Sequence, residues 1–144
     1  MPAVYRKMGI SFSYPENWEL DEDEALEGAR SVSVYAPGGG FWTVSVHSRT
    51  ADPTKLAKAA VKAMKEEYDS LEAEPVRETL AGWELVGFDF NFYCLDLTST
   101  AAVRSVRTKR AIYTIFYQAE DREFAKVEHV FRAILTSLLE GMKK

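Results

Sequence analysis

The chain has 144 residues, of which 47% are hydrophobic and 28% charged, and this composition excludes an intrinsically disordered protein. Its 18 basic and 22 acidic residues give a net charge of −4, which argues against non-specific affinity for nucleic acid or anionic lipid. The single cysteine, Cys94, excludes an intramolecular disulfide and fits a reducing compartment.

The N-terminal segment MPAVYRKMGISFSYP lacks the continuous apolar stretch of a secretory signal. No segment approaches the roughly 18 consecutive apolar residues that a membrane span requires. The sequence therefore predicts a soluble cytoplasmic protein that does not insert into membranes. We expect a single domain over residues 1–144, with an ordered core from about residue 8 to residue 140.

The first 24 residues contain one short strand pattern and one acidic run. Residues 10–14 alternate apolar and serine side chains, which predicts a half-buried strand, and residues 18–20 continue as an extended segment. The acidic run over residues 19–24 is interpreted as a solvated loop. A hard-cation site and a docking patch for a basic partner are the alternatives.

Residues 30–36 and 41–47 are predicted as the two arms of a hairpin broken by Pro37 and three glycines. The glycines are interpreted as a turn and not as a phosphate-binding loop, because they link two strands and no lysine follows them. A helix is expected from Asp52 as N-cap and Pro53 as first residue. Its stripe of small apolar residues is predicted at Leu56, Ala59, Ala60, Ala63 and Met64, opposite a solvated face of lysines.

The second half of the chain predicts four strands and a final helix. Residues 75–80 form a short strand, placed at a sheet edge by Pro75. The stretch WELVGFDFNFYCLDL puts a ladder of phenylalanines on one face and Asp89, Asn91 and Tyr93 on the other. Strands over residues 100–109 and 110–121 follow, with Arg104 and Arg107 on opposite faces, where pairing with acidic residues across strands is expected. The last helix carries an apolar stripe at Phe124, Val127, Phe131, Ile134, Leu135 and Leu138.

This order of elements predicts the fold class. Long antiparallel strands with helices inserted late are typical of an α+β protein, and both helices need a sheet to cover their apolar stripes. We therefore expect an antiparallel β-sheet sandwiched by two helices.

Two segments resemble a known superfamily, which includes the PsbP photosystem subunits, the Mog-type Ran-release factors and the bacterial DcrB-related proteins. FSYPENWEL is similar to its opening strand followed by aromatic-Pro-x-x-Trp. The closing segment AIYTIFYQAED, Phe124 and ILTSL are similar to its last strand and helix, with Leu138 where the family has phenylalanine. The resemblance extends over residues 8 to 140 and implies an α/β/α sandwich and a role in binding. No residue role is carried over, because no residue of the Ran-binding or photosystem members matches this sequence position by position.

No residue pattern predicts catalysis, a metal site or a cofactor. His47 and His129 have no nearby ligand partner, and Cys94 continues the phenylalanine face as a small apolar residue. Asp89 and Glu84 could form an acid–base pair only through placement that one sequence does not define. The sequence therefore favours a protein that is not an enzyme, without cofactor or metal.

The predicted function is a non-enzymatic protein-binding or assembly module with a protein partner and no nucleic acid. The alternative is a small apolar-ligand or peptide-binding protein that uses a pocket between sheet and helix. Of the three tryptophans, two are expected in the core and one on a recognition surface. The candidate binding residues are Trp18, Trp42, Trp83, Asp89, Asn91 and Tyr93. The oligomeric state is left open.

Overall fold

The structure is a computed structural model that describes residues 2–7, 9–24 and 30–142, without the side chains of residues 23 and 24. Within these ranges nine strands and two helices follow one another. They are β1 (Ala3–Lys7), β2 (Ile10–Tyr14), β3 (Glu19–Glu24), β4 (Arg30–Tyr35), β5 (Phe41–Ser48), α1 (Pro53–Glu67), β6 (Glu72–Leu80), β7 (Trp83–Cys94), β8 (Leu97–Arg107), β9 (Ala111–Glu120) and α2 (Asp121–Glu140).

Seven of these strands form one antiparallel sheet in the order β3-β4-β5-β9-β8-β7-β6. Strands β1 and β2 form a separate antiparallel ribbon. Helix α1 packs on β7, β8 and β9, whereas α2 packs on β8, β9 and the ribbon strand β2. The protein is thus an α/β/α sandwich of the α+β class, which confirms the predicted fold class. Strand β6 is the sheet edge that Pro75 predicted.

The larger core lies between the sheet, α2 and the ribbon. The α2 stripe packs here as predicted, and its most buried members are Phe131, Ile134, Leu135, Leu138 and Leu139. Phe12 of the ribbon contacts the fully buried Trp42, with ring centroids 5.0 Å apart. The N-terminal ribbon therefore completes the core on this side of the sheet and is not an appendage.

The smaller core lies between the sheet and α1. The phenylalanine ladder of β7 faces this helix, and Phe90 and Phe92 are buried against Ala57 and Met64. The predicted stripe on α1 is rotated by one residue, because Ala59 and Ala63 are exposed. Ala57, Ala60, Val61 and Met64 face the sheet instead. Alanines lie on both the buried and the exposed face of α1, so the sequence pattern does not define which face packs on the sheet.

The interpretation of residues 19–24 as a solvated loop is wrong, because they form the edge strand β3. Leu20 lies opposite Val34 of β4 and packs against the larger core, while Asp21 and Glu22 are exposed. Backbone pairing on one side suffices to hold an edge strand, and charged side chains protect its open side from further pairing. The acidic sequence of β3 did not indicate a strand, because Leu20 is its single apolar residue.

Both helices begin at an acidic N-cap. Asp52 Oδ1 accepts hydrogen bonds from the backbone N–H groups of Thr54 at 2.9 Å and Lys55 at 3.4 Å, which confirms the predicted cap. Glu120 caps α2 through the N–H groups of Arg122 and Glu123. Each carboxylate satisfies backbone donors that the first helical turn leaves free. In the described part of the chain, neither helix is long and apolar enough to cross a membrane.

Candidate functional site

The turn between β7 and β8 has an unusual backbone for its sequence. Leu95 and Asp96 connect the paired residues Cys94 and Leu97, and their φ angles are 52° and 64°. Two successive positive φ angles are typical of a type I′ hairpin turn, which strongly favours asparagine and glycine. A leucine in this conformation carries a steric cost of about 1–2 kcal/mol. Strained residues of this kind concentrate at functional sites.

The same turn carries most of the large apolar side chains that the described surface exposes. The exposed fractions are 62% for Tyr93, 92% for Leu95 and 52% for Leu97. We refer to residues 93–97 as the hairpin tip. Leu97 pairs with Cys94 and therefore lies on the opposite face of the hairpin from Tyr93, so the tip exposes apolar side chains on both of its faces. Single exposed apolar residues are common on proteins, but several on one turn are typical of interaction sites.

A surface groove of about 410 Å³ lies beside the hairpin tip. It is lined by Glu67, Tyr68, Asp69, Ser70, Tyr93, Cys94 and Leu95, so the end of α1 and the loop to β6 form its second wall. Tyr68 packs on the buried Phe92, with ring centroids 4.4 Å apart. Burial raises the pKa of the Tyr68 phenol, and the neighbouring Cys94 thiol acts in the same direction. The Tyr68 phenol in this groove is therefore uncharged at neutral pH.

Three of the candidate binding residues, Asp89, Asn91 and Tyr93, share one face of β7. Tyr93 belongs to the hairpin tip, and Asn91 is exposed two residues before it. The Asn91 Oδ1 atom accepts a hydrogen bond from Thr100 Oγ1 at 3.3 Å. The Thr100 hydroxyl also lies 2.7 Å from a carboxylate oxygen of Asp121. These polar groups link β7, β8 and the start of α2 next to the tip.

Asp89 belongs to a network centred on Arg104, whose side chain is only 4% exposed. Arg104 Nη2 lies 2.8 Å from Asp89 Oδ1, and its Nη1 donates to the carbonyl oxygens of Phe88 and Val103 at 3.1 and 3.0 Å. Its Nε atom lies 3.6 Å from Glu78 Oε1. The expected cross-strand pairing with acidic residues is confirmed for Arg104. The prediction is wrong for Arg107, which donates to the backbone carbonyl oxygens of Arg49 and Ala51.

Glu78 extends this network to α2. Its Oε1 atom accepts a hydrogen bond from Arg132 Nη1 at 2.7 Å. Burial works to lower the pKa of Arg132, but hydrogen bonds to Glu78 and Tyr117 outweigh burial and raise it. Burial raises the pKa of Tyr117, and the hydrogen bond with Arg132 opposes that rise only in part. The carboxylates of Asp89 and Glu78 are thus both paired with arginine side chains, and such paired charges are typical of a structural network.

The three tryptophans lie away from the hairpin tip. Trp18 is 7% exposed and packs edge-on against Phe131, with centroids 5.7 Å apart, while Trp42 is fully buried. Neither offers surface to a partner in this conformation. Trp83 is half-buried, and its Nε1 donates to the carbonyl oxygen of Leu139 at 3.0 Å. Ten residues of strand, about 33 Å, separate Trp83 from Tyr93. The six candidate residues therefore do not form one site.

The remaining reactive side chains form no recognisable centre among the described residues. His47 is half-buried on β5 and His129 is exposed on α2. Glu84 is exposed near the start of β7, five residues from Asp89, whose carboxylate is bonded to Arg104. Within residues 2–7, 9–24 and 30–142, no group of three or more His, Cys, Asp or Glu side chains could hold a metal ion.

Sequence reasoning missed Leu95 and Leu97 as candidate binding residues. The stretch over residues 83–97 was predicted as one strand, because no glycine, asparagine or proline marks the turn at Leu95. The signal that was available is the length of this stretch, which exceeds the usual strand of about 5–6 residues. A hairpin inside it leaves two apolar residues at its tip.

Solved structures resemble this arrangement at low sequence identity. The PsbP protein CyanoP from Synechocystis has a TM-score of 0.61 at 14% identity, covering 94% of this chain and 90% of its own. The chain has a PsbP-like fold. A Bacteroides thetaiotaomicron structure gives 0.60 at 19% identity over 93% of this chain, which spans 46% of that protein. LpqN of Mycobacterium tuberculosis, described as involved in cell envelope biogenesis, gives 0.51 at 15% identity, covering 93% of this chain and 86% of its own.

The predicted resemblance is therefore confirmed for the fold, which is PsbP-like. No protein-family model and no curated protein matches the sequence. At these identities the PsbP-like fold says nothing about which residues bind or what they bind.

Proposed function

We propose that the protein is a non-enzymatic binding or assembly module that holds a protein partner at its hairpin tip. The observation that carries this proposal is the exposure of Leu95, at 92%, in a left-handed backbone conformation that disfavours leucine. Both properties cost stability or solubility, and an asparagine at this position would remove both costs. Burial of Leu95 in a contact with another protein would explain why a leucine is present at this position.

The surroundings of Leu95 support a protein as the partner. Tyr93 and Leu97 add exposed apolar surface on the two faces of the same hairpin, and tyrosine is enriched in protein–protein contacts because it buries much area with little loss of side-chain entropy. The groove beside the tip offers a concave surface of about 410 Å³ for one or two inserted side chains. We propose the cytoplasm as the location, supported only by the single cysteine of the composition.

No specific observation favours the alternative, an apolar ligand held between sheet and helix. The aromatic side chains on the α2 side of the sheet pack on one another, as shown by the contact of Tyr117 with Phe131 at 5.0 Å. Four surface cavities of 290–500 Å³ lie near the ends of strands and helices in the described structure. Two of them are lined by the half-buried Trp83, and none of the four is lined by Trp18 or Trp42.

Site-specific photo-crosslinking in cells tests this proposal. A photoreactive phenylalanine analogue replaces Leu95 in one variant and Val4 in a control variant, since Val4 is also an exposed apolar residue, at 54%, but lies on β1. We expect irradiation to give a discrete heavier adduct from position 95 and none from position 4. Equal adducts from both positions, or none from position 95, would contradict the proposal.

A further inference from the structure

The wall of the groove beside the hairpin tip has a consistent charge. Glu67 and Asp69 line it, Asp96 lies in the adjoining turn, and no lining residue is basic. All three carboxylates belong to exposed residues. Glu67 and Asp69 line the same groove as Tyr93 and Leu95, and Asp96 follows Leu95 in the turn. The tip therefore combines an apolar centre with an acidic rim.

The apolar and acidic parts impose different requirements on an occupant. Leu95 and Tyr93 gain from contact with a large apolar side chain, which the groove of about 410 Å³ can accommodate. The acidic rim disfavours a partner with acidic residues beside that side chain, because like charges across an interface are repulsive. Lysine or arginine at the flanking positions would meet the rim with opposite charge.

We propose that the hairpin tip binds a basic, amphipathic segment of a partner protein, with an apolar side chain in the groove and Lys or Arg side chains on Glu67, Asp69 and Asp96. This inference rests on the proposed function and adds the chemistry of the partner. The segment docks its apolar residue against Tyr93 and Leu95. The charge pairs on the rim lie in water, so they contribute to the choice and orientation of the partner more than to affinity.

A titration followed by amide NMR tests the inference. The probes are a twelve-residue peptide in which leucine pairs alternate with lysine pairs, and the same peptide with glutamate in place of lysine. We expect the lysine peptide to shift the amide signals of residues 67–70 and 93–97, and the glutamate peptide to shift none. Equal binding of both peptides would overturn the inference.

The site of binding matters as much as its occurrence, because the whole chain is acidic. Shifts that centre on the acidic edge strand β3, or that spread over the sheet, would show non-specific attraction and overturn the inference. The double variant Glu67→Lys/Asp69→Lys should lower the affinity for the lysine peptide by about tenfold at low salt. The double variant Asp21→Lys/Glu128→Lys makes the same change in net charge at exposed positions elsewhere and should leave binding unchanged within about twofold.

Two further outcomes separate this inference from the proposed function. If the crosslinked partner from cells binds the Glu67→Lys/Asp69→Lys variant as tightly as the wild type, the binding role stands and the inference about charge is wrong. If sedimentation shows a dimer of this chain that Leu95→Asn dissociates, the tip contacts a second copy and the basic partner is excluded. A protein that is monomeric and binds the lysine peptide at the tip supports the inference.

Discussion

Glu78 on the edge strand β6 and Arg132 on α2 are joined by a hydrogen bond of 2.7 Å, and the same Glu78 oxygen lies 3.6 Å from Arg104 of β8. One carboxylate thus links the edge of the sheet, an inner strand and the covering helix. Because Arg104 is nearly inaccessible, its charge depends on Glu78 and Asp89 for compensation. This network holds the α2 layer on the half of the sheet that ends in the hairpin tip.

Substitution Arg104→Met should lower the free energy of unfolding by about 2 kcal/mol. Breaking a fully buried ion pair costs about 3–5 kcal/mol, and the loss is smaller here because Glu78 and Asp89 reach solvent. Urea denaturation measures the change. Arg107→Met is the matched control, since this arginine is exposed and donates to the backbone carbonyl oxygens of Arg49 and Ala51. Equal effects of the two substitutions would contradict the assigned role of Arg104.

Substitution Gly87→Ala should destabilise the protein by about 3 kcal/mol or prevent folding. Gly87 lies opposite Arg104 in the sheet, and a Cβ at this position would overlap the carbonyl group of Val103. Backbone atoms of a central strand pair cannot move aside as a flexible side chain can. Thermal unfolding of Gly87→Ala and of Gly141→Ala makes the comparison. At Gly141 a Cβ would make ordinary contacts of 3.4 Å or more, so the melting temperature should change little.

The half-buried His47 should make stability depend on pH. Burial lowers the pKa of this imidazole below its ordinary value of 6.5, so unfolding takes up a proton at intermediate pH. Its contribution to stability is therefore unchanged above pH 6.5 and is lost as the pH falls from 6.5 through the lowered pKa of the folded state. The variant His47→Gln removes this loss.

Denaturation of both proteins at pH 8 and pH 5 measures the effect. We expect the wild type to lose stability relative to His47→Gln on going from pH 8 to pH 5. His129→Gln, measured in parallel, reports the effect of removing an exposed imidazole. A difference between wild type and His47→Gln that is the same at both pH values would show that the folded and unfolded pKa values of His47 are equal.

Periodicity predicted the elements whose two faces differ strongly. The phenylalanine ladder of β7 and the stripe on α2 stand out because large apolar residues alternate with polar ones, and both lie where they were expected. The edge strand β3 was missed because its acidic side chains do not alternate with apolar ones. Its pairing with β4 is made by backbone atoms, which leave no pattern in the sequence. Strand β1 was not predicted either, since it pairs only with β2 and buries Tyr5 alone among its described residues.

The candidate site could be predicted only in part. Tyr93 was identified from its place on the polar face of β7, but Leu95 was read as part of a strand. Asp96 is the one turn-favouring residue in the two-residue turn between Cys94 and Leu97, and a single aspartate beside a leucine is a weak turn signal. The role of Asp89 was equally hidden, since its partner Arg104 lies 15 residues away in the chain.

We propose that Leu95 serves binding and not folding, and one variant tests both roles. Leu95→Asn replaces the strained leucine with a residue that the type I′ turn favours, so the free energy of unfolding should rise by about 0.5–1 kcal/mol. Retention of the crosslinked partner on the immobilised protein should fall at least tenfold. A variant that is more stable and has lost its partner would support a binding role for Leu95. A variant that keeps its partner at wild-type level would contradict that role.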